Sequence, residues 1–300
     1  MRHVASLEGM MPNNNTTHQG LRQPVYKEIA EALKAGDVVP FLGAGASIAC
    51  NLPSAAILAE RLATEAEFPD ANGRHNLALV ASYLVQVHDS LKLARLLREV
   101  FDVKIEPGRL HNCLARIDDL RLIVTTNYDD LIERALEARH PWVVVDRGRS
   151  GNVWIRQADD PWREFEAKRL SEVVVDRSRP IIFKMHGSLD RGDKDNDAFL
   201  ITEEQYVDLL GRPETGQIPP MLATMMKRKN FLFLGYGLKD WNVRVMLRKL
   251  ALARNPADRI KSWAIVLNAS DAEKKLWAAQ NVEIYEVELD TFVEGLESAL

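Results

Sequence analysis

Short apolar segments alternate with helical patterns along almost the whole chain, and this alternation limits the folds that the sequence can adopt. Each apolar segment has the length of a buried strand, and the segments between them repeat apolar residues at helical spacing. The predicted strands are 38–42, 121–125, 180–185, 230–234, 262–267 and 282–287. The predicted helices are 24–35, 53–66, 77–101 in two segments, 109–117, 128–138, 202–210, 218–228, 240–254, one beginning after Ser270, and 291–300. Repeated strand–helix units indicate an α/β fold, with a mostly parallel sheet that carries helices on both faces.

The length of the chain suits one large domain with a smaller insert, since it has 300 residues. Residues 1–22 include three consecutive asparagines and no apolar run, so we expect a flexible N-terminal arm and no signal peptide. Residues 23–300 are expected to form a Rossmann-like domain, with less regular, mainly helical inserts or a lid at about 70–115 and 140–180. No segment approaches the ~18 apolar residues that span a bilayer, so we expect a cytoplasmic protein without membrane contact.

Charge and cysteine content argue against several classes of protein. The net charge is −4, whereas proteins that coat nucleic acid are usually basic, so direct nucleic-acid binding is not expected. Two cysteines, Cys50 and Cys113, are too few for a disulfide scaffold or a four-cysteine zinc module, and we expect two reduced, buried thiols. Acidic residues between 193 and 204 have the spacing of a calcium loop, but Ala198 stands where that loop needs glycine. A solvated acidic hairpin is therefore expected there, and no metal site is predicted.

Four predicted strands end in glycine-rich or polar turns, and these turns form the candidate site. They are residues 43–47, 125–130, 186–188 and 235–237. Ligands of an open parallel sheet bind beyond the carboxyl ends of its strands. Four such turns are therefore stronger evidence for a binding crevice than any one of them.

The first turn reads Gly43-Ala44-Gly45-Ala46-Ser47 and joins a strand to a helix. Glycines at such a position let the backbone approach a pyrophosphate, whose charge then lies against a helix N-terminus. The third glycine of the dinucleotide fingerprint is missing, and no Gly-Lys-Ser/Thr follows, which argues against a Walker-type ATPase. The alternative is a tight strand-to-helix turn in which Ser47 makes a local hydrogen bond.

The second and third turns supply polar side chains that suit catalysis. Asn127 and Asp129 are predicted to point into the crevice as hydrogen-bonding groups for a sugar or an amide, although Asn127 also suits a helix N-cap. His186 directly follows an apolar strand and precedes Gly187, and a histidine placed there can act as a general base near neutral pH. The alternative for His186 is a purely structural role, which is the commoner role of a single histidine.

Taken together and in this order, the four turns resemble those of the sirtuin family. The glycine-alanine-glycine-x-serine loop of that family is matched by residues 43–47. Its threonine-glutamine-asparagine-isoleucine-aspartate segment is similar to residues 125–129, which include Thr126. Its histidine-glycine motif is similar to His186 and Gly187.

The fourth turn, Gly235-Tyr236-Gly237, resembles a bacterial branch of the same family, because Asp240 and Asn242 follow it. Asn268 comes after a strand, at the place where the family has an asparagine near the adenosine ribose. The resemblance covers about residues 25–300. It implies that Gly235, Tyr236 and Asn268 belong with the residues that bind NAD+.

Two departures from the deacylating sirtuins are informative. Those proteins carry a Gly-Ile-Pro-Asp-Phe-Arg segment after the first loop, where this chain has residues 51–56, Asn-Leu-Pro-Ser-Ala-Ala. They also carry a four-cysteine zinc module, which two cysteines cannot build and for which residues 189–199 are too few. Bacterial sirtuin-like proteins with the same losses resemble NAD+ hydrolases of anti-phage defence. The resemblance therefore implies a zinc-free NAD+ hydrolase, or NADase, that acts as the effector of abortive infection.

The implied reaction cleaves the nicotinamide–ribose bond through a transition state that resembles an oxocarbenium ion. We expect the turn 43–47 to hold the pyrophosphate and Asp129 to hold the carboxamide. Asn127 is expected to position water or the ribose hydroxyls, and His186 to contact the ribose and act as the base. Orientation and electrostatics are expected to supply most of the rate.

Two other functions stay open at this point. A protein deacylase or ADP-ribosyltransferase would need a peptide channel and a nucleophilic acceptor, for which the sequence offers no evidence. A non-catalytic module that binds NAD+ or ADP-ribose needs only the crevice. The resemblance also implies a homo-oligomer, and a HerA-type ATPase or another defence-system protein as partner.

Overall fold

The computed structural model describes residues 23–148, 151–157, 160–176, 178–211, 218–237 and 260–300. Within these ranges the strands are β1 (Val38–Leu42), β2 (Leu122–Thr125), β3 (Trp142–Val145), β4 (Asn152–Gln157), β5 (Arg163–Glu166), β6 (Ile181–Lys184), β7 (Gly187–Ser188), β8 (Ala198–Phe199), β9 (Asn230–Leu234), β10 (Ser262–Val266) and β11 (Val282–Glu286). The helices are α1 (Gln23–Lys34), α2 (Ala55–Glu65), α3 (Leu77–Val87), α4 (Ser90–Phe101), α5 (Arg109–Ala115), α6 (Leu131–Ala135), α7 (Leu170–Val173), α8 (Glu203–Gly211), α9 (Pro220–Met226), α10 (Asp271–Ala278) and α11 (Leu289–Ala299). Short 3-10 segments cover Ala44–Cys50, Glu137–Arg139, Ala167–Arg169 and Lys194–Asn196.

The described strands other than β7 and β8 form one sheet in the order β11-β10-β9-β1-β2-β6-β3-β4-β5. Neighbouring strands from β11 to β3 run parallel, and β4 and β5 are antiparallel additions at one edge. The predicted mostly parallel, Rossmann-like sheet is thus confirmed. The segment at about 140–180, where we predicted a less regular insert, contributes β3, β4 and β5 to this sheet, since its valine-rich run pairs directly with β6.

Both faces of the sheet are buried, because apolar residues follow one another along its central strands. In β1, Val39 and Phe41 pack into the core on one face, whereas Val38 and Leu42 pack into the core on the other. The first core is closed by residues of α7, α9 and α10, and the second by residues of α1, α5, α6 and α11. Helices on both faces are what a parallel sheet of this kind requires.

A third core lies beside the ends of the central strands and is mainly helical. Its centre is Leu62 of α2, Leu84 of α3 and Leu97 of α4, all fully buried. Tyr128 and Leu131, which follow β2, belong to the same core. The helical segment between β1 and β2 is therefore packed against the turn that follows β2, and it is the mainly helical insert of the predicted fold.

The main departure from the predicted elements lies after β2. Helix α6 begins at Leu131 rather than at Tyr128, because Thr125 and Asp129 hold the preceding residues in a turn: the Thr125 hydroxyl accepts from the Asn127 nitrogen at 3.0 Å, and Asp129 Oδ1 accepts from the Leu131 nitrogen at 3.2 Å. The predicted helix 240–254 and the predicted arm 1–22 lie outside the described residues. In the part of the chain that the structure describes, no helix combines the length and apolar character needed to cross a membrane.

Candidate functional site

The four polar turns follow four strands that are neighbours in the sheet. Strands β9, β1, β2 and β6 are consecutive, and the turns 235–237, 43–47, 125–130 and 186–188 follow them respectively. Direct bonds join neighbouring turns: the Gly45 nitrogen donates to the Gly235 oxygen at 2.8 Å, and Asn127 Nδ2 donates to the Gly43 oxygen at 3.1 Å. The structure thus brings the four turns together at the carboxyl edge of the sheet.

Three glycines let the first and fourth turns pack backbone against backbone. A Cβ atom on Gly45 would lie 2.6 Å from the Gly235 Cα, and one on Gly43 would lie 2.7 Å from the Gly235 oxygen. Gly235 itself has a φ of +63°, which favours glycine. These glycines are therefore required by the contact between turns, a reason that is independent of any approach to a pyrophosphate.

Asn127, Ser47 and Asp129 form one buried hydrogen-bond network. Asn127 Nδ2 donates to the Gly43 oxygen and to Ser47 Oγ, both at 3.1 Å, and the Ser47 hydroxyl donates to Asp129 Oδ2 at 2.9 Å. Ser47 is therefore bonded across the site rather than locally. Asn127 is not a helix N-cap, since that position of α6 belongs to Asp130.

The network fixes the orientation of the Asn127 amide. Both hydrogens of its Nδ2 are directed at protein acceptors, so the amide group cannot turn over without losing these bonds. Within the described residues, no donor is bonded to its Oδ1. The arrangement therefore offers a fixed acceptor oxygen that suits a water molecule or a hydroxyl group.

His186 lies immediately beyond β6 and is buried, with 4% of its surface exposed. Its ring packs edge-on against Tyr206 of α8, with centroids 5.3 Å apart. The next residue, Gly187, has a φ of +91°, and a Cβ atom there would lie 2.0 Å from the Ala198 oxygen. The histidine-glycine pair is thus explained locally: the glycine lets the β7–β8 hairpin close, and the hairpin fixes the backbone next to His186.

The remaining predicted binding residues differ in how close they lie to this network. Ala44 and Thr126 are half-buried beside it, and Tyr236 is buried against Gly43, with its Cδ2 2.8 Å from where a Gly43 Cβ would lie. Asn268 is exposed beyond β10, which is separated from β1 by β9. Asp240 and Asn242 lie outside the described residues. The functional roles of all these residues stay predictions.

Two buried titratable groups near the network were not assigned by the sequence. Lys184, the last residue of β6, is 1% exposed and donates to the Asp129 main-chain oxygen and to Glu133. Burial lowers the pKa of His111, and the charge of nearby Asp129 acts in the opposite direction. A lysine within an otherwise apolar strand is a signal that could have identified Lys184. No comparable sequence signal marks His111.

The thiols and acidic residues do not form a metal site in the described part of the chain. Cys50 and Cys113 are buried and not joined in a disulfide, and burial raises the pKa of Cys113 to about 11. No group of three or more His, Cys, Asp or Glu side chains among the described residues is arranged to hold a metal ion. The predicted solvated hairpin is wrong at Asp197, which pairs with Arg98 at 2.8 Å and is only 7% exposed, because α4 packs beside it.

Comparisons with known proteins identify relatives of this chain. A family model described as a SIR2-like domain matches residues 121–285, which is more than half of the chain. The protein named NAD(+) hydrolase ThsA of Cytobacillus dafuensis is 26% identical over 230 residues, which are 76% of this chain and 41% of that protein. The ThsA of Acinetobacter baumannii is 28% identical over 225 residues, covering 75% of this chain and 41% of that protein. Defense-associated sirtuin 2 of Bacillus subtilis is 24% identical over 228 residues, covering 74% of this chain and 20% of that protein. The chain thus spans about two fifths of these ThsA proteins and a fifth of the Bacillus subtilis protein.

Proposed function

Because this chain belongs to the family of SIR2-like domains, we propose that it is an NAD+ hydrolase, which releases nicotinamide and ADP-ribose. The observation that carries the proposal is that Asn127 and Asp129 follow β2 and His186 follows the neighbouring strand β6, so that all three lie at the carboxyl edge of the sheet. Relatives named as NAD+ hydrolases support it at 24–28% identity.

Asn127 is proposed to orient the attacking water or the ribose hydroxyls. Its Nδ2 is committed to the Gly43 oxygen and Ser47 Oγ, so its Oδ1 presents a fixed acceptor. Attack on an oxocarbenium-like centre depends mainly on holding the nucleophile in line, because the leaving nicotinamide already carries a positive charge. A rigid acceptor contributes more to that alignment than a mobile one.

Asp129 is proposed to accept a hydrogen bond from the nicotinamide carboxamide. Its Oδ2 accepts from Ser47 and its Oδ1 accepts from the Leu131 nitrogen. Each carboxylate oxygen can accept a second bond, so the carboxamide N–H can be added without breaking either contact. The two existing bonds hold the carboxylate in one orientation before the substrate arrives.

His186 is proposed to contact the ribose and to take a proton from the attacking water. Its position beyond β6 is fixed by the β7–β8 hairpin and by the ring of Tyr206. The turn 43–47 is proposed to bind the pyrophosphate through its backbone N–H groups, with Gly235 and Tyr236 beside it. Thr126 and Asn268 are proposed to contact the remaining parts of NAD+.

We also propose that the hydrolysis serves bacterial defence against phages, through loss of NAD+ from the infected cell. The name of one relative, a defense-associated sirtuin, supports that role. A homo-oligomer and a HerA-type ATPase or other defence protein as partner belong to the same proposal. The measured mass of the protein, alone and with such a partner, tests them.

Incubation of the purified protein with NAD+ is expected to yield free nicotinamide and free ADP-ribose in equal amounts, because water is the proposed acceptor. Chromatography with mass detection measures both products, and NAD+ incubated without protein is the control. ADP-ribose attached to protein or to an acyl group would identify a transferase or deacylase instead. Tight binding of intact NAD+ without release of nicotinamide would identify a binding module.

A further inference from the structure

Lys184 lies beneath the proposed site and contacts the turn that carries Asn127 and Asp129. Its Nζ lies 2.5 Å from the Asp129 main-chain oxygen and 2.6 Å from Glu133 Oε1. The lysine is 1% exposed, and the side chain of Glu133 is 11% exposed. A complete ion pair is thus buried between β6 and the first turn of α6.

Stability alone is a weak explanation for this pair. Taking two charges out of water is costly, and apolar residues of similar volume often replace a buried ion pair without loss of stability. The pair is not fully satisfied either, since Glu133 Oε2 is buried without a hydrogen-bond partner among the described residues. Burial raises the pKa of the Glu133 carboxyl group, and Lys184 acts against that effect.

The contact with Asp129 indicates a more specific role for Lys184. Asp129 accepts from Ser47, which in turn accepts from Asn127, so the main-chain position of Asp129 determines the geometry of the whole network. Lys184 is the last residue of β6 and precedes His186 by two residues. One buried ammonium group therefore connects the strand that precedes His186 to the turn that carries Asn127 and Asp129.

We infer that Lys184 is a positioning residue for NAD+ cleavage, which holds the Asp129 carbonyl and thereby the Ser47–Asp129–Asn127 network in register with His186. This inference rests on the proposed function of the site. Glu133 supports the lysine by supplying its counter-charge. Groups that orient the ligands of metal sites change activity by about 10–100-fold when they are removed, and we expect an effect of similar size here.

The test compares Lys184→Met with the double variant Lys184→Met/Glu133→Leu. The double variant leaves no unpaired charge, so it is expected to keep a melting temperature close to that of the original protein. Its kcat for NAD+ is nevertheless expected to fall about 10–100-fold, more than the rise of about 3–10-fold expected in KM, because the orientation of the reacting groups is lost. The matched control is Lys229→Met. This lysine pairs with Asp37 at 2.8 Å at the amino ends of β9 and β1, away from the proposed site, so the substitution should leave kcat unchanged.

A second readout separates this inference from the proposed function. Amide hydrogen exchange at Leu131, whose N–H donates to Asp129 Oδ1, is expected to speed up in the double variant, and affinity for ADP-ribose to weaken about 3–10-fold. If the original protein does not hydrolyse NAD+, the proposed function fails while these two measurements still test Lys184. Unchanged exchange at Leu131 and unchanged ADP-ribose affinity would overturn the inference, as would an unchanged kcat in an active protein.

Discussion

His186→Ala is expected to abolish detectable NAD+ hydrolysis, with kcat lowered by about 10²–10⁴-fold, while the protein stays folded. The range is that of a positioned acid or base, which is the role proposed for the imidazole. The substitution removes a buried ring that packs on Tyr206, so a destabilisation of about 1–3 kcal/mol is expected in addition. Loss of turnover without loss of the folded state would separate the chemical role from the packing role.

Initial rates of nicotinamide release, measured well below the melting temperature of each variant, test this expectation. The control is His75→Ala, since that side chain is 72% exposed and its removal leaves the buried network intact. Asn127→Ala is expected to lose activity as well, because no fixed acceptor oxygen remains. Full activity in both His186→Ala and Asn127→Ala would contradict the assignment of the site.

The sequence predicted that four polar turns lie at the carboxyl edge of the sheet, because each of them follows an apolar strand. It did not predict that β9, β1, β2 and β6 are neighbours, since strand order depends on long-range packing rather than on local periodicity. Yet that order is what brings the turn at Gly235, far along the chain, against Gly43 and Gly45. The order of the motifs along the chain indicated the sirtuin family. The order of the strands in the sheet explains why motifs that are distant in the chain lie side by side.

The details of the candidate site were harder to predict because several side chains bond to groups that are distant in the chain. Ser47 was expected to lie at a pyrophosphate site or to bond locally, and in the structure it bonds to Asn127 and Asp129, which follow the neighbouring strand β2. Lys184 was counted within an apolar strand, and its charge is satisfied only by groups that the fold brings to it. Side-chain networks of this kind depend on tertiary contacts that local patterns do not contain.

Gly235→Ala is expected to destabilise the protein by about 2–5 kcal/mol. The residue has a φ of +63°, where a side chain costs about 1–2 kcal/mol. A Cβ atom there would also lie 2.1 Å from the Ala46 nitrogen and 2.4 Å from the Gly45 carbonyl carbon, and such overpacking costs about 1–3 kcal/mol more. Because the opposing atoms are backbone, the clash can be relieved only by moving the turn that contains Ser47.

Urea unfolding followed by tryptophan fluorescence measures the effect, and Gly237→Ala is the matched control from the same turn. Among the described residues, no heavy atom lies within 4 Å of a Cβ built on Gly237, so its free energy of unfolding should change by less than about 0.5 kcal/mol. Equal stability of the two variants would show that the first and fourth turns do not pack backbone against backbone. If Gly235→Ala is much less stable than Gly237→Ala, Gly235 is required for the fold. Loss of NAD+ binding in Gly235→Ala would then be no evidence that this residue contacts the nucleotide.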